Sequence, residues 1–208
     1  DIFIPLAEET SLISDIGLFV LHETCKQIQE WQGLGFDHFR VSINIVAQQI
    51  YRGELVDEID YALQKYNISG DMLELELTES TLFDKSEDVN ILLQQLKERH
   101  ISISLDDFGT GYSSLAYLTS YPFDILKIDK AFISKIGQEK DEAIVNAIIA
   151  MGNAIGITLV AEGVETREQM LFLEKHGCYI LQGFYFSKAL SSADSTKYLE
   201  QHKLITIC

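Results

Sequence analysis

Met72-Leu73-Glu74-Leu75-Glu76-Leu77-Thr78 alternates apolar and polar side chains, and the reading of this stretch decides the fold. A period of two is the pattern of a strand with unlike faces, here Leu73, Leu75 and Leu77 against Glu74 and Glu76. Its neighbours in the chain repeat the pattern. Phe39 to Ile45 sets Phe39, Val41, Ile43 and Ile45 against Arg40, Ser42 and Asn44, and Ile101 to Asp106 puts Ser102, Ser104 and Asp106 on one face. In a parallel sheet covered by helices the apolar face meets the helices, so the polar face turns toward a second enclosed space. A closed barrel has such a space. In the alternative, an open doubly wound sheet, both faces carry helices and the alternation would disappear. Barrel interiors normally hold branched apolar side chains, so Ser42, Glu74, Ser102 and Ser104 are costly there unless they pair, and Arg40 is the expected partner of Glu74.

Working outward, the chain alternates strands with helical periodicity. An amphipathic helix is expected from about Ser11 to Trp31, a helix from about Glu54 to Tyr66 ended by Asn67 and Gly70, and another from about Ser86 to Glu98. Strands follow at Phe123 to Asp129, Ile157 to Ala161 and Tyr179 to Leu181, separated by helices at Glu142 to Ala154 and Glu168 to His176, with a last helix from about Ser192 to His202. Strand and helix repeated six times call for parallel strands joined by crossovers. The expected fold is therefore α/β, a TIM-like (β/α)8 barrel represented by six βα units in one domain over residues 1–208. A complete barrel is typically about 250 residues long, so its first two strands are expected upstream of Asp1.

Composition narrows the function. With 32 acidic and 16 basic side chains the formal charge is −16, which speaks against a duplex nucleic acid as partner, because such binding rests on phosphate neutralisation. A phosphate ligand would need metal ions to reverse the local sign. Ala143 to Ala161, the longest apolar tract, is broken by Asn146, Gly152, Asn153 and Gly156, so it suits a buried helix and a strand better than a membrane span. No basic segment leads into an apolar one at the start, so no signal peptide is expected. Cys25, Cys178 and Cys208 are odd in number and lack zinc-site spacing, which makes a reducing cytoplasm the simplest location.

The chemistry is concentrated at the strand ends. The last inward position of each successive strand is Asn44, Glu76, Asp106, Lys127, Glu162 and Gln182, all polar, and in a barrel of this kind the C-terminal strand ends surround the mouth of the active site. Leu105-Asp106-Asp107-Phe108-Gly109-Thr110-Gly111-Tyr112-Ser113-Ser114 sets two adjacent carboxylates before a glycine loop, suited to a divalent cation and an anionic ligand. The plainer reading of that stretch alone is a solvated turn. Carboxylates and an amide are hard donors that suit Mg²⁺ or Mn²⁺ rather than zinc. Two such cations about 3.5–4 Å apart would position an oxygen nucleophile and stabilise the leaving oxygen of a phosphodiester. Lys127 has a blander alternative as the ion-pair partner of Asp129 or Glu162.

Longer motifs carry a resemblance. Phe3-Ile4-Pro5-Leu6-Ala7-Glu8-Glu9-Thr10, Glu76-Leu77-Thr78-Glu79-Ser80, the Asp106 to Ser114 stretch, Leu126-Lys127-Ile128-Asp129, Ala161-Glu162-Gly163-Val164-Glu165-Thr166 and Gln182-Gly183-Phe184, in this order, resemble the bacterial EAL domains, which hydrolyse cyclic di-GMP to linear pGpG. The resemblance implies that Asn44, Glu76 and Asp106 ligate one Mg²⁺ or Mn²⁺. It further implies that Asp106 reaches a second ion held by Asp107, with Glu162 contributing directly or through water. Lys127 would orient or deprotonate the attacking water, Gln182 would hydrogen-bond at the same site, and Glu79 would anchor the Asp107 to Ser114 loop. By the same analogy a homodimer and an upstream sensory or cyclase-like domain are expected.

The sequence departs from the family at three points. The Glu-Ala-Leu motif, whose glutamate is a ligand of the first metal, is not in the chain and is expected shortly before Asp1. Val46 stands where the family usually has Ser, and Ala189 where it usually has Pro. The readings that follow are a cyclic dinucleotide phosphodiesterase, a catalytically inactive cyclic di-GMP receptor, or a structural barrel that has lost the ligand. Retention of Glu76, Asp106, Asp107, Lys127 and Glu162 together favours the enzyme.

Overall fold

The computed structural model describes residues 4, 6–7, 10, 12–82, 86–109, 118 and 120–202. The glycine loop from Thr110 to Ser114, half of the Phe3 to Thr10 lead-in and Cys208 lie outside them. The elements run α1 (Leu12–Gly33), β1 (Val41–Ile45), α2 (Ala47–Arg52), α3 (Leu55–Tyr66), β2 (Leu73–Thr78), α4 (Ser86–Glu98), β3 (Ser102–Phe108), β4 (Ile125–Ile128), α5 (Lys130–Ile133), α6 (Glu139–Ile155), β5 (Thr158–Ala161), α7 (Arg167–Lys175), β6 (Ile180–Leu181) and α8 (Ser192–Gln201). The six strands form one sheet in sequence order, and every neighbouring pair is parallel. This is the strand–helix succession of a TIM-like barrel. No helix among the described residues is long and apolar enough to cross a membrane.

The apolar faces of the alternating strands carry the core. Leu73, Leu75 and Leu77 of β2 and Ile103 and Leu105 of β3 are buried, together with Ile28 of α1, Ile59 of α3 and Leu93 and Leu96 of α4. Each such side chain contributes roughly 1.5–3 kcal/mol through burial, which holds the helices to one side of the sheet and leaves the polar faces on the other. The polar faces behave as the alternation requires. Glu74 lies 3.7 Å from Arg40 and is hydrogen-bonded by Ser104, so the expected pair forms.

Local signals end the elements where physical chemistry predicts. Asn67 closes α3 in the left-handed region at φ 50°, and Gly156 closes α6 at φ 76°. Thr166 caps α7 in a reciprocal box, its hydroxyl accepting from the Gln169 N–H while the Gln169 side chain accepts from the Thr166 N–H. Two short helices were not expected. Asp129 accepts from the Ala131 N–H at 2.7 Å and so starts α5, which is why β4 stops at Ile128 instead of reaching Asp129. The other, α2, begins at Val46, whose N–H is accepted by the Gln49 side chain at 3.2 Å. A serine at that position would also cap with its own oxygen, so the effect of Val46 falls on this helix start. Ala189 lies in an exposed loop.

Candidate active site at the strand ends

Register brings the polar strand ends side by side. Asn44 of β1 is opposite Glu76 of β2, Thr78 of β2 is opposite Asp106 of β3, and Ile128 and Ala161 are opposite one another, so the residues flanking them, Lys127 and Glu162, reach the same mouth. The centre of the cluster is one atom. Lys127 Nζ donates to Glu162 Oε1 at 2.5 Å and to Glu76 Oε1 at 2.7 Å, and lies 3.5 Å from Asp106 Oδ1. Four successive strands or their ends thus meet on an ammonium whose side chain is 5% exposed. The partner expected for Lys127 at Glu162 is present.

The paired aspartates owe their arrangement to a break in the ladder. Leu105 is opposite Leu126 and Phe108 is opposite Ile128, so Asp106 and Asp107 together face the single residue Lys127. This is a β-bulge, and Asp107 takes up the extra residue with φ 55°, a left-handed conformation that aspartate tolerates better than most residues. In a regular strand adjacent side chains point to opposite faces. Here Asp106 reaches Lys127 while Asp107 is hydrogen-bonded with Asp129, so both carboxylates serve one mouth.

Asp129 is the member that sequence reasoning did not place in the site. In the strand expected over Phe123 to Asp129 its spacing of two from Lys127 would put both on one face, and that signal was available; in the structure it follows β4 and caps α5. Glu79 is buried, and its carboxylate accepts from the Gly109 N–H at 3.2 Å, at the point where β3 leaves the sheet. Gly109 has φ 93°, a conformation that favours glycine, and a Cβ there would lie 2.8 Å from the tip of the Phe132 ring, which would have to shift. Asn44 is exposed on β1, and Gln182 is exposed just past β6, its N–H donating to the Ala161 carbonyl at 2.8 Å.

Charge is the dominant feature. Glu76, Asp106, Asp107, Asp129 and Glu162 are five carboxylates around one ammonium. Burial by itself would lower the Lys127 pKa, but the hydrogen bonds and charges of Glu162 and Glu76 outweigh it and raise it. An ammonium held this way can orient a water but has no lone pair with which to deprotonate one. Glu162 is raised above the ordinary carboxylate range, first by burial and then by the charges of Asp106 and Glu76, with Lys127 opposing. One ammonium shared among three carboxylates does not compensate the burial of each. Asp107 is raised as well, by burial first and then by Asp106 and Asp129.

The donor set fits hard divalent cations, being carboxylates with one nearby amide and an excess of negative charge. Among the described residues no three Asp, Glu, His or Cys side chains are arranged around a common point as metal ligands; the inner carboxylates close on Lys127 instead. Next to Glu162 and Gln182 opens a cleft of about 290 Å³ that also touches Lys130 and Phe184.

Comparison with known proteins gives this geometry a context. The family model described as EAL domain matches residues 1–189. The cyclic di-GMP phosphodiesterase NbdA of Pseudomonas aeruginosa is 40% identical over 204 residues, 98% of this chain and 26% of that protein. MucR of the same organism, a bifunctional diguanylate cyclase/cyclic di-GMP phosphodiesterase, is 42% identical over 189 residues, 90% of this chain and 28% of that protein. A solved structure of the MucR phosphodiesterase in complex with c-di-GMP superposes with a TM-score of 0.88 at 41% identity, covering 93% of this chain and 78% of that one. A manganese/cy-diGMP complex of Klebsiella pneumoniae BlrP1 superposes with a TM-score of 0.69 at 28% identity, covering 82% and 44%. The chain spans about a quarter of the length of the curated relatives it matches.

Proposed function

The chain belongs to the EAL domain family, and from that premise we propose that it hydrolyses cyclic di-GMP to linear pGpG with the help of divalent cations. The observation that carries the proposal is the convergence of Glu76, Asp106 and Glu162 on Lys127, with Asp107 and Asp129 alongside, in a mouth carrying more negative charge than its one lysine balances. Asn44, Glu76 and Asp106 would hold the first Mg²⁺ or Mn²⁺, and Asp106 and Asp107 the second, with Glu162 contributing directly or through water. Two bound cations would supply a nucleophilic oxygen at neutral pH and stabilise charge on the leaving oxygen.

The chain's own groups do the rest. Lys127, kept protonated by its carboxylate partners, orients water and places positive charge beside the phosphoryl oxygens, a preorganised electrostatic contribution. Gln182 donates a hydrogen bond at the rim. Glu79 holds Gly109 at the end of β3, next to the paired aspartates. We further propose a cytoplasmic location, a homodimer, and fusion to a sensory or cyclase-like domain, the last supported by the small share of NbdA and MucR that this chain spans.

The test is direct. The full-length protein is incubated with cyclic di-GMP and Mn²⁺ or Mg²⁺, and pGpG is sought by chromatography. Accumulation of pGpG that stops on chelation supports the proposal. Binding without turnover would assign the protein to the receptor class instead.

A further inference from the structure

Gln169, in the first turn of α7, is only 8% exposed, although glutamine is ordinarily a surface residue. A buried amide is costly unless its polar atoms are bonded, and this one is bonded at both ends. Its Oε1 accepts from the Glu165 N–H at 2.8 Å and from the Thr166 N–H at 3.0 Å, and its Nε2 donates to the Ile133 carbonyl at 3.2 Å. The first two bonds belong to the start of α7, where a capping glutamine is ordinary. The third does not. Ile133 is the last residue of α5, so one side chain ties the turn after β5 to the helix after β4.

Both ends of this tie carry residues of the mouth. Glu162 opens the turn directly after β5, and Asp129 starts α5 by accepting from the Ala131 N–H. The same two segments are pressed together beside it, since Gly163 has φ 68° and a Cβ on it would lie 2.4 Å from Lys130 Cβ. Phe132 of α5 lies against Gly109 at the end of β3. With four residues, α5 is too short to hold a conformation through its own helical hydrogen bonds, so its placement depends on these neighbours. A shift of α5 would move Asp129 away from Asp107, and a shift of the turn would move Glu162 away from Lys127.

We propose that Gln169 is a positioning residue for the acidic mouth, holding Glu162 and Asp129 in one geometry through its bond between the turn after β5 and α5. The expected effect on Mn²⁺ rests on reading that mouth as a divalent-cation site; the tie itself rests on the hydrogen bonds. Removing a group that orients a metal ligand typically costs about 10–100-fold in affinity or activity. Gln169 acts through the backbone that carries Glu162 and Asp129, so the lower end of that range applies.

The experiment combines calorimetric titration of Mn²⁺ without cyclic di-GMP, steady-state hydrolysis with Mn²⁺, and thermal melts in EDTA, all on the full-length protein. Gln169→Met, which keeps the length but removes every polar atom, is expected to weaken Mn²⁺ binding about tenfold and lower kcat by a similar factor, with KM within about threefold. Thr166→Ala weakens the start of the same helix but leaves the tie to Ile133, so it is expected to lower the melting temperature while Mn²⁺ affinity and kcat stay within about twofold. Gln169→Glu keeps an oxygen to accept from Glu165 and Thr166 but, ionised, has no donor for Ile133. It is expected to show the same loss as Gln169→Met, and it decides the matter if that variant does not fold. In a Glu162→Gln background, Gln169→Met is expected to add about threefold or less to the loss of Mn²⁺ affinity, because the two changes act on one group. Equal losses in Thr166→Ala and Gln169→Met, or an undiminished loss in the Glu162→Gln background, would overturn the positioning role. Failure of both Gln169 variants to fold makes the residue structural and overturns it as well. Wild-type turnover with unchanged Mn²⁺ affinity across the variants refutes the positioning and leaves the reaction standing. Wild-type Mn²⁺ binding without turnover refutes the reaction, while the affinities still decide Gln169. A wild type that binds no Mn²⁺ overturns both.

Discussion

Two tiers of the inner polar face can be set side by side. In the lower tier Glu74 lies beside Arg40 and Ser104, one carboxylate with one guanidinium and a hydroxyl; burial and the charge of Glu76 raise its pKa, with Ser104 and Arg40 opposing. In the upper tier, two residues further along the same strand, Glu76 shares Lys127 with Asp106 and Glu162, and Asp107 and Asp129 add two more carboxylates. Both tiers are polar, inward and largely buried. The difference between the tiers is the number of carboxylates per cation: several carboxylates on one ammonium leave negative charge that cations or protons must complete, whereas the lower tier has one of each.

The sharpest way to break this contrast is to remove one carboxylate from each tier. Glu76→Ala or Asp106→Asn is expected to lower turnover by about a thousandfold or more, which corresponds to roughly 4 kcal/mol of barrier, with the circular dichroism spectrum unchanged. Glu74→Gln in the lower tier is expected to stay within about threefold. Equal losses in both tiers would end the distinction.

The next effect is on stability. Lys127→Met leaves three buried carboxylates without their shared cation, and the metal-free protein is expected to lose about 3–5 kcal/mol in chemical denaturation. Added Mn²⁺ should recover part of that loss. In the wild type, Mn²⁺ at a hundredfold over its Kd adds about 2.7 kcal/mol by mass action, and Asp106→Asn abolishes the gain.

Smaller effects concern protons and the lower tier. Glu162 and Asp107 are raised acids, so the folded protein binds more protons than the unfolded chain between the ordinary carboxylate range and their raised values. Their stabilising contribution is complete below that range and is lost as pH rises through the raised values. Thermal melts in EDTA should therefore show stability falling as pH climbs out of the carboxylate range, and the gain from Mn²⁺ growing over the same interval; Glu162→Gln should flatten both trends. Smallest of all, Arg40→Ala is expected to cost at most about 1 kcal/mol, since the Arg40 side chain is 41% exposed and solvent screens the pair.

Much of this was legible before any coordinates. The alternation in Met72 to Thr78 and its neighbours identified the strands, and reading off the last inward residue of each strand collected Glu76, Asp106, Lys127 and Glu162, which the fold brings into contact. Element ends were legible where a residue carries its own signal, as Asn67 and Gly156 do. Helices α2 and α5 were missed because each is too short to show a period, and their starts depend on Gln49 and Asp129 side chains bonding to nearby backbone.

By itself the sequence determined the order of strands, which face of each is polar, and the chemical identity of the groups at the mouth, because side-chain alternation and backbone capping act between residues close in the chain. Only the tertiary structure decided that Asp106 and Asp107 share one mouth through a bulge, that Lys127 is held by three carboxylates, and that Asp129 joins them. Those outcomes depend on how β3 pairs with β4 and how deeply the cluster is buried. Both are set by contacts between segments far apart in the chain, where hydrogen-bond register and desolvation take over from local preference.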